Sequence, residues 1–233
     1  YCSFLLLIFI FVLSLFSELI SNDKPLIVKY KNELYFPVFH NYSDEFWGGD
    51  FPTAANYSDS LIQNNIKQNG WLIMPPIPYS FNTVDYYLDS ATPSAPSKKH
   101  WLGTDEEGRD VLARILYGIR LSLIFALVLT FISSAIGIFV GAVQGYFGGK
   151  TDIILQRFIE IWDSLPQLFI LIIIASVFLP TFLSLLVILL LFSWTGLTGM
   201  VRAEFLRLRN FEYVKAAQVL GVGNFRIMFR HIL

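Results

Sequence analysis

Charge is what this sequence has least of. Asp, Glu, Lys and Arg make up 15% of its 233 residues, against about 25% in an average soluble domain, while 55% of the chain is hydrophobic. That is too little charge to cover a globular surface. The deficit is local: apolar stretches almost empty of charge alternate with segments of ordinary polarity, which is a membrane organisation. A net charge of −1 excludes a long-range pull on nucleic acid. Cysteine is nearly missing too. Cys2 has no partner for an internal disulfide, lies in an apolar stretch outside any lipoprotein-like pattern, and reads as a small buried hydrophobe. His40, His100 and His231 are scattered, and no His, Cys, Asp or Glu cluster has metal-ligand spacing. No nucleophile stands beside a base, so nothing points to catalysis. Tyr1 in place of Met, and a stop at Leu233 inside an apolar helical pattern, read as the ends of a piece of a longer protein.

What is there is a series of spans. Residues 3–20 hold one charge, Glu18, and cover about 27 Å as a helix, close to the roughly 30 Å hydrocarbon core. With no small-residue cleavage site, 1–20 reads as an uncleaved first span. Residues 21–103 turn polar and proline-rich, which predicts a small extracytoplasmic domain of mixed, irregular structure. In it, Leu26–Tyr30 and Leu34–Phe39 flank Lys31-Asn32-Glu33 and predict a hairpin. Over 104–120, Thr104 and Glu107 form a capping box, Asp105 and Glu106 suit the positive end of a helix, and Val111, Leu112, Ile115, Leu116 and Ile119 share a face. This pattern, which takes in Gly108, Arg109 and Asp110, predicts an amphipathic helix lying in the membrane interface.

Three more spans, about 121–146, 158–179 and 182–200, make 121–200 a membrane core. Ser133, Gly137, Gly141 and Gly145 recur every four residues, the spacing that lets a neighbouring helix backbone come close. Residues 147–157 read as a turn, Pro166 as a kink in the following span, and Pro180 as its end. Gly145 to Thr151 imitates a phosphate-binding loop but is one residue short and lacks the strand that aims such a loop, so it reads as a glycine turn. Arg202, Arg207, Arg209, Lys215, Arg226 and Arg230 against Glu204 and Glu212 mark 201–230 as cytoplasmic, and counting back across the spans puts the N-terminus inside.

Within the loop 201–225, Asn210 predicts an N-cap and Gly221 the left-handed residue that closes a helix. Tyr213, Val214, Ala217 and Leu220 predict its apolar face, with Glu212, Lys215 and Gln218 opposite. So short a helix is unstable alone in water, and the membrane surface, the rest of the protein or a partner must hold it. Residues 226–233 read as the start of a fifth span.

Lys215-Ala216-Ala217 followed by Gly221 resembles the Glu-Ala-Ala-x-x-x-Gly motif of binding-protein-dependent ABC importer permeases, with Lys in place of the leading Glu. Leu102-Gly-Thr-Asp105-x-x-Gly108-Arg-Asp110 with Arg114, Tyr117-Gly-x-Arg120, Gly145-Tyr-Phe-Gly-Gly-Lys150-x-Asp152 and Arg209-Asn-x-x-Tyr213 are similar to the dipeptide/oligopeptide branch. Ser21-Asn-Asp-Lys-Pro-Leu26 and the long outer segment resemble the microcin C/oligopeptide transporter permeases. The resemblance extends over essentially the whole chain. It implies an all-α polytopic permease of the bacterial inner membrane, with the irregular insertion after the first span. It also implies a sister permease subunit, two ATPase subunits, an extracytoplasmic substrate-binding protein, a peptide substrate and surrounding lipid. ATP-Mg would belong to the ATPase, with no cofactor on this chain. The helix over 211–220 would be the coupling helix, docking on the ATPase through Asn210, Glu212, Tyr213, Lys215, Ala216, Ala217 and Gly221. Two rival readings differ in kind. A membrane-tethered extracytoplasmic sensor or binding protein would use 21–103 but has no need of three further spans. A secondary transporter would carry internal repeats and ionisable groups at mid-membrane.

Overall fold

The computed structural model describes residues 2–88, 91–179 and 181–233, in two compact units that divide between Leu123 and Ile124. The span end assigned to Pro180 lies outside the described residues.

The first unit opens with α1 (Cys2–Leu15), an apolar helix whose residues are nearly all exposed, and a short α2 (Ser17–Ile20). Cys2 is exposed rather than buried, because a lone apolar helix buries little against its own chain. Glu18 is satisfied locally: Arg120 Nη2 donates to it at 3.2 Å, and the Tyr117 hydroxyl lies 2.8 Å from it. Strands β1 (Ile27–Tyr30) and β2 (Glu33–Tyr35) pair antiparallel, with Tyr30 opposite Glu33, across a two-residue turn. After a 3-10 turn at Glu45–Trp47 come α3 (Ser60–Asn69) and β3 (Gly70–Ile73), and β3 pairs antiparallel with the other side of β1 to give the order β2-β1-β3. The Asp59 side chain caps α3 by accepting from the Leu61 amide. Ile62 and Ile66, one turn apart on α3, close over Val28, Tyr30 and Trp47. Trp47 is wholly buried, its indole N–H donates to the Tyr57 hydroxyl at 3.1 Å, and Tyr30, Tyr35, Tyr42 and Phe46 surround it with ring centroids 4.9–5.6 Å away. The hairpin stands where the sequence pattern put it, but Glu33 belongs to the second strand rather than the turn and that strand ends at Tyr35 rather than Phe39, whereas α3 and β3 are more regular structure than the composition suggested.

The interfacial helix expected over 104–120 is not a separate element. Residues 104–110 form a loop, and α4 (Val111–Phe147) is one helix of 37 residues that runs on through the expected second span. The capping box at Thr104 and Glu107 does not start it. Thr104 Oγ1 instead accepts from the Ser94 amide at 3.0 Å, while Asp110 Oδ1 accepts from the Ala113 amide at 2.7 Å and is the actual cap.

In the second unit the turn expected over 147–157 shrinks to Gly148, because α5 (Gly149–Asp163) starts at once. The exposure pattern that hid α5 is mixed: Ile153, Ile154, Phe158 and Ile161 are exposed together with Arg157 and Glu160, while Ile159 is buried and Asp152 and Gln156 are half-buried. Pro166 does more than kink the next span. It separates α5 from α6 (Gln167–Val177), and the pair bends by 68°, since proline lacks an amide proton and clashes with the preceding turn. Helices α7 (Phe182–Ser193) and α8 (Thr195–Leu208) continue one another past Trp194 as a 27-residue run. Then come α9 (Glu212–Val219), α10 (Asn224–Arg226) and a π-helical turn, Ile227–Ile232. Among the described residues, α4 and the α7–α8 run are long and apolar enough to cross a membrane, the bent α5–α6 pair is so only when its two helices are taken together, as a broken span or a re-entrant loop, and α1 is apolar but only 14 residues long.

The glycine spacing has a physical partner. A Cβ on Gly137 would lie 2.6 Å from the Trp194 carbonyl oxygen, on Gly141 2.7 Å from that of Thr198, and on Gly145 2.6 Å from that of Arg202. Helix α8 thus lies backbone against backbone along α4. Ser133 is also buried, with its hydroxyl on the Thr130 carbonyl of its own helix at 3.2 Å. We expect Gly141→Leu to destabilise the helix pair by about 1–3 kcal/mol, seen as a lower thermal midpoint in detergent. Gly118→Leu, where a Cβ meets nothing within 4 Å, should leave that midpoint unchanged.

Candidate functional site

The end of α8, the turn after it and α9 form the part of the chain with the most chemistry in the least space. Arg209 Nη1 reaches the carbonyls of Gly145 and Tyr146 at 3.4 Å each, a cation at the carbonyl end of α4. Asn210 does not cap α9 as the sequence suggested. Its Nδ2 donates back to the Leu206 carbonyl at 3.1 Å and closes α8, while the extended Phe211 occupies the N-cap position without a side-chain bond. Only two side chains of α9 are buried. Val214 and Ala217 join Ala142, Tyr146, Phe205, Ile227, Met228 and Ile232 in one buried cluster.

At the other end of α9, Gly221 has φ +75°, a region that costs a side-chain-bearing residue free energy. The Gly221 amide donates to the Gln218 carbonyl at 3.0 Å and the Val222 amide to that of Ala217 at 3.1 Å, the paired closure of a Schellman motif, with Val222 packed on the cluster. The Tyr146 hydroxyl accepts from Gln218 Nε2 at 3.3 Å and lies 2.9 Å from Asn224 Oδ1, pinning the segments before and after the glycine.

The outward side of α9 differs from the expected division into faces. Glu212, Tyr213, Lys215 and Ala216 are exposed, and so are Val219 at 88% and Leu220 at 82%. Tyr213 and Leu220 therefore leave the predicted apolar face. Two turns of helix over a shallow cluster bury one narrow stripe, and Val214 and Ala217 fill it. The arrangement is a short helix clamped from beneath and open above.

A second set, around Thr104, Asp105, Gly108, Arg109 and Asp110, organises the loop before α4. Asp105 Oδ1 accepts from the Glu107 and Arg109 amides at 2.9 Å each, and Oδ2 from Arg109 Nε at 2.9 Å, with Arg114 also paired to it. The Gly108 carbonyl accepts from the Asp85 amide at 3.0 Å. His100, which the sequence left unassigned, is buried between two carboxylates, with Nδ1 2.8 Å from Asp110 and Nε2 3.2 Å from Asp85. Only its position ten residues before Asp110 could have hinted at this. Among the described residues, no His, Cys, Asp and Glu group is placed to hold a metal ion. The phosphate-loop lookalike is the last turn of α4 and the first of α5, with no strand before it.

Residues 133–233 match the family model described as binding-protein-dependent transport system inner membrane component. The chain is 49% identical, over its full length and 67% of the relative's, to the peptidoglycan transport system permease protein YejE of Agrobacterium fabrum. It is 48% identical, again over its full length and 68% of the relative's, to the inner membrane ABC transporter permease protein YejE of Escherichia coli. Over 67% of this chain and 50% of the relative's, it is 38% identical to the oligopeptide transport system permease protein OppC of Haemophilus influenzae.

Burial works to raise the Asp105 carboxyl, but the hydrogen bonds and charge of Arg109 and the Glu107 amide outweigh it and hold the group at about 2, below the ordinary 3.8. A depressed folded value means that the stabilisation is complete above pH 3.8 and is lost as pH falls through about 2. We expect acid unfolding, followed by tryptophan fluorescence, to lose stability across that interval, and Asp105→Asn to remove this part of the pH dependence.

Proposed function

The chain belongs to the inner-membrane components of binding-protein-dependent transport systems, as a peptide ABC transporter permease, and on that premise we propose that α9 is the helix through which a separate ATPase drives it. The observation that carries this reading is the exposure of α9 above its clamp. Val219 and Leu220 are a bare apolar pair beside Lys215, Tyr213 and Glu212, on a helix too short to hold itself. A helix of this kind is held from below by its own protein and needs an occupant above. Two ATPase subunits, closing on ATP, would push on α9, and the cluster beneath it would pass the displacement into α4 and α8 as a rigid-body switch between outward- and inward-open states. Lys215 stands where a carboxylate opens the resembled motif, so no acidic contact belongs to that position.

On this reading the chain pairs with a sister permease, receives its cargo from an extracytoplasmic binding protein, lies in the bacterial inner membrane with its N-terminus in the cytoplasm, and catalyses nothing itself. The cargo is an oligopeptide or a peptide conjugate of the microcin C kind. Similarity to permeases named for peptidoglycan and oligopeptide transport supports that class. A tethered sensor would leave the exposed side of α9 without a role.

Three measurements test this. In a full-length permease with Cys2 and any other cysteine replaced by Ser, Lys215→Cys should react with a membrane-impermeant maleimide in inside-out vesicles and not from outside; labelling from the outer face would falsify the orientation. Gly221→Val should insert normally yet lose most of its co-purifying ATPase, because a β-branched residue is strained at positive φ. Uptake of radiolabelled trialanine by a deletion strain carrying the full-length permease should be competed by other peptides and by peptide–nucleotide conjugates. Uptake indifferent to both would reject the peptide class.

A further inference from the structure

We propose that the Asp152–Arg202 ion pair is the strut that passes displacement of α8 and α9 into α5, an inference that rests on the coupling role of α9. Arg202 Nε donates to Asp152 Oδ1 at 2.5 Å and Nη2 to Oδ2 at 2.7 Å, a bidentate pair whose side chains are largely shielded from solvent. The same residue of α5 is held from α4: Gln144, wholly buried, donates from Nε2 to the Asp152 carbonyl at 3.3 Å and to Gln156 Oε1 at 3.0 Å.

These polar contacts matter because of what the apolar ones leave out. The cluster beneath α9 takes residues from α4, α8, α9 and the π-helical turn, and none from α5 among those described. Val201 and Phe205, on either side of Arg202, pack in that cluster, so a push on α9 moves Arg202 with it. Apolar side chains can slide past one another, whereas a two-pronged guanidinium–carboxylate pair holds its geometry. Ten residues along α5, about 15 Å at helical rise, Trp162 provides a second attachment. Its indole N–H donates to the Leu191 carbonyl at 2.8 Å and its ring stacks on Phe192 at 5.8 Å. Helix α5 is thus held near one end by a charge pair and near the other by a pivot, just before the 68° bend into α6. It has the form of a lever. Asp152 and Arg202 are positioning residues in it and touch no substrate.

The test uses the complete transporter in proteoliposomes with its ATPases and binding protein, and radiolabelled trialanine as probe. Asp152→Asn and Arg202→Gln should each cut peptide moved per ATP hydrolysed by about tenfold, with ATPase co-purification and binding-protein-independent hydrolysis unchanged. The reversed pair, Asp152→Arg with Arg202→Asp, should recover most of the ratio. A merely structural residue would lower assembly and hydrolysis together. Wild-type ratios in both single variants, a reversed pair no better than the singles, or failure of all three variants to assemble would each overturn the strut. If wild-type protein captures no ATPase, the coupling role itself is what fails. If wild type hydrolyses ATP without moving trialanine, the same comparison is made on hydrolysis stimulated by the binding protein, with the same outcomes deciding.

Discussion

At Gly137, Gly141 and Gly145 the missing side chain is the structural element. Each hydrogen stands where a carbon would run into a carbonyl oxygen of α8, at Trp194, Thr198 and Arg202 in turn. Apolar side chains gain little from meeting each other in surroundings as apolar as themselves, so dispersion contacts at short range hold such a pair. Much else follows from it. Because α8 descends along α4 residue for residue, Arg209 arrives at the last carbonyls of α4, Phe205 arrives beside Tyr146, and the turn into α9 begins at a fixed place. Loss of the close approach would leave α9 without the floor that Val214 and Ala217 fill.

Polar side chains inside the second unit are ones that find partners. Gln144 on α4 is wholly buried and gives its amide nitrogen to the Asp152 carbonyl and to Gln156 of α5. Ile154 on α5 is 67% exposed, and the exposed Arg157 and Glu160 of the same helix pair with each other. A polar group facing hydrocarbon would have no partner, whereas an isoleucine loses nothing there.

How much of this was legible in the sequence depends on how local each signal is. The hairpin of β1 and β2, the break at Pro166 and the positive φ of Gly221 are consequences of one or two residues, and the sequence carried them. The start of α4 was misplaced because Thr104 and Glu107 imitate a capping box, and only the folded loop shows that Thr104 serves the Ser94 amide while the helix is capped from Asp110. Asp105 is taken up by Arg109 and Arg114, which leaves Asp110 to cap. Asn210 misled for a similar reason: it lies between two helix ends and serves the one behind it. His100 between Asp85 and Asp110, and Arg202 on Asp152, join residues 10 to 50 apart, and no period in the sequence marks such partners.

The way α9 is held also limits how it can move. It has eight residues, too few for a stable helix in isolation, so it keeps its form only while both ends and the inner stripe are satisfied together. Its C-terminal end is closed by the amides of Gly221 and Val222, and Tyr146 reaches Gln218 on one side of that closure and Asn224 on the other. A load that bent α9 would have to break these bonds and open the cluster in the same step. A load that translates it breaks none of them, provided that α8 and the end of α4 travel too. The lower-cost response is therefore a joint displacement of α9 with the helices beneath it, which is the motion that the proposed coupling role requires.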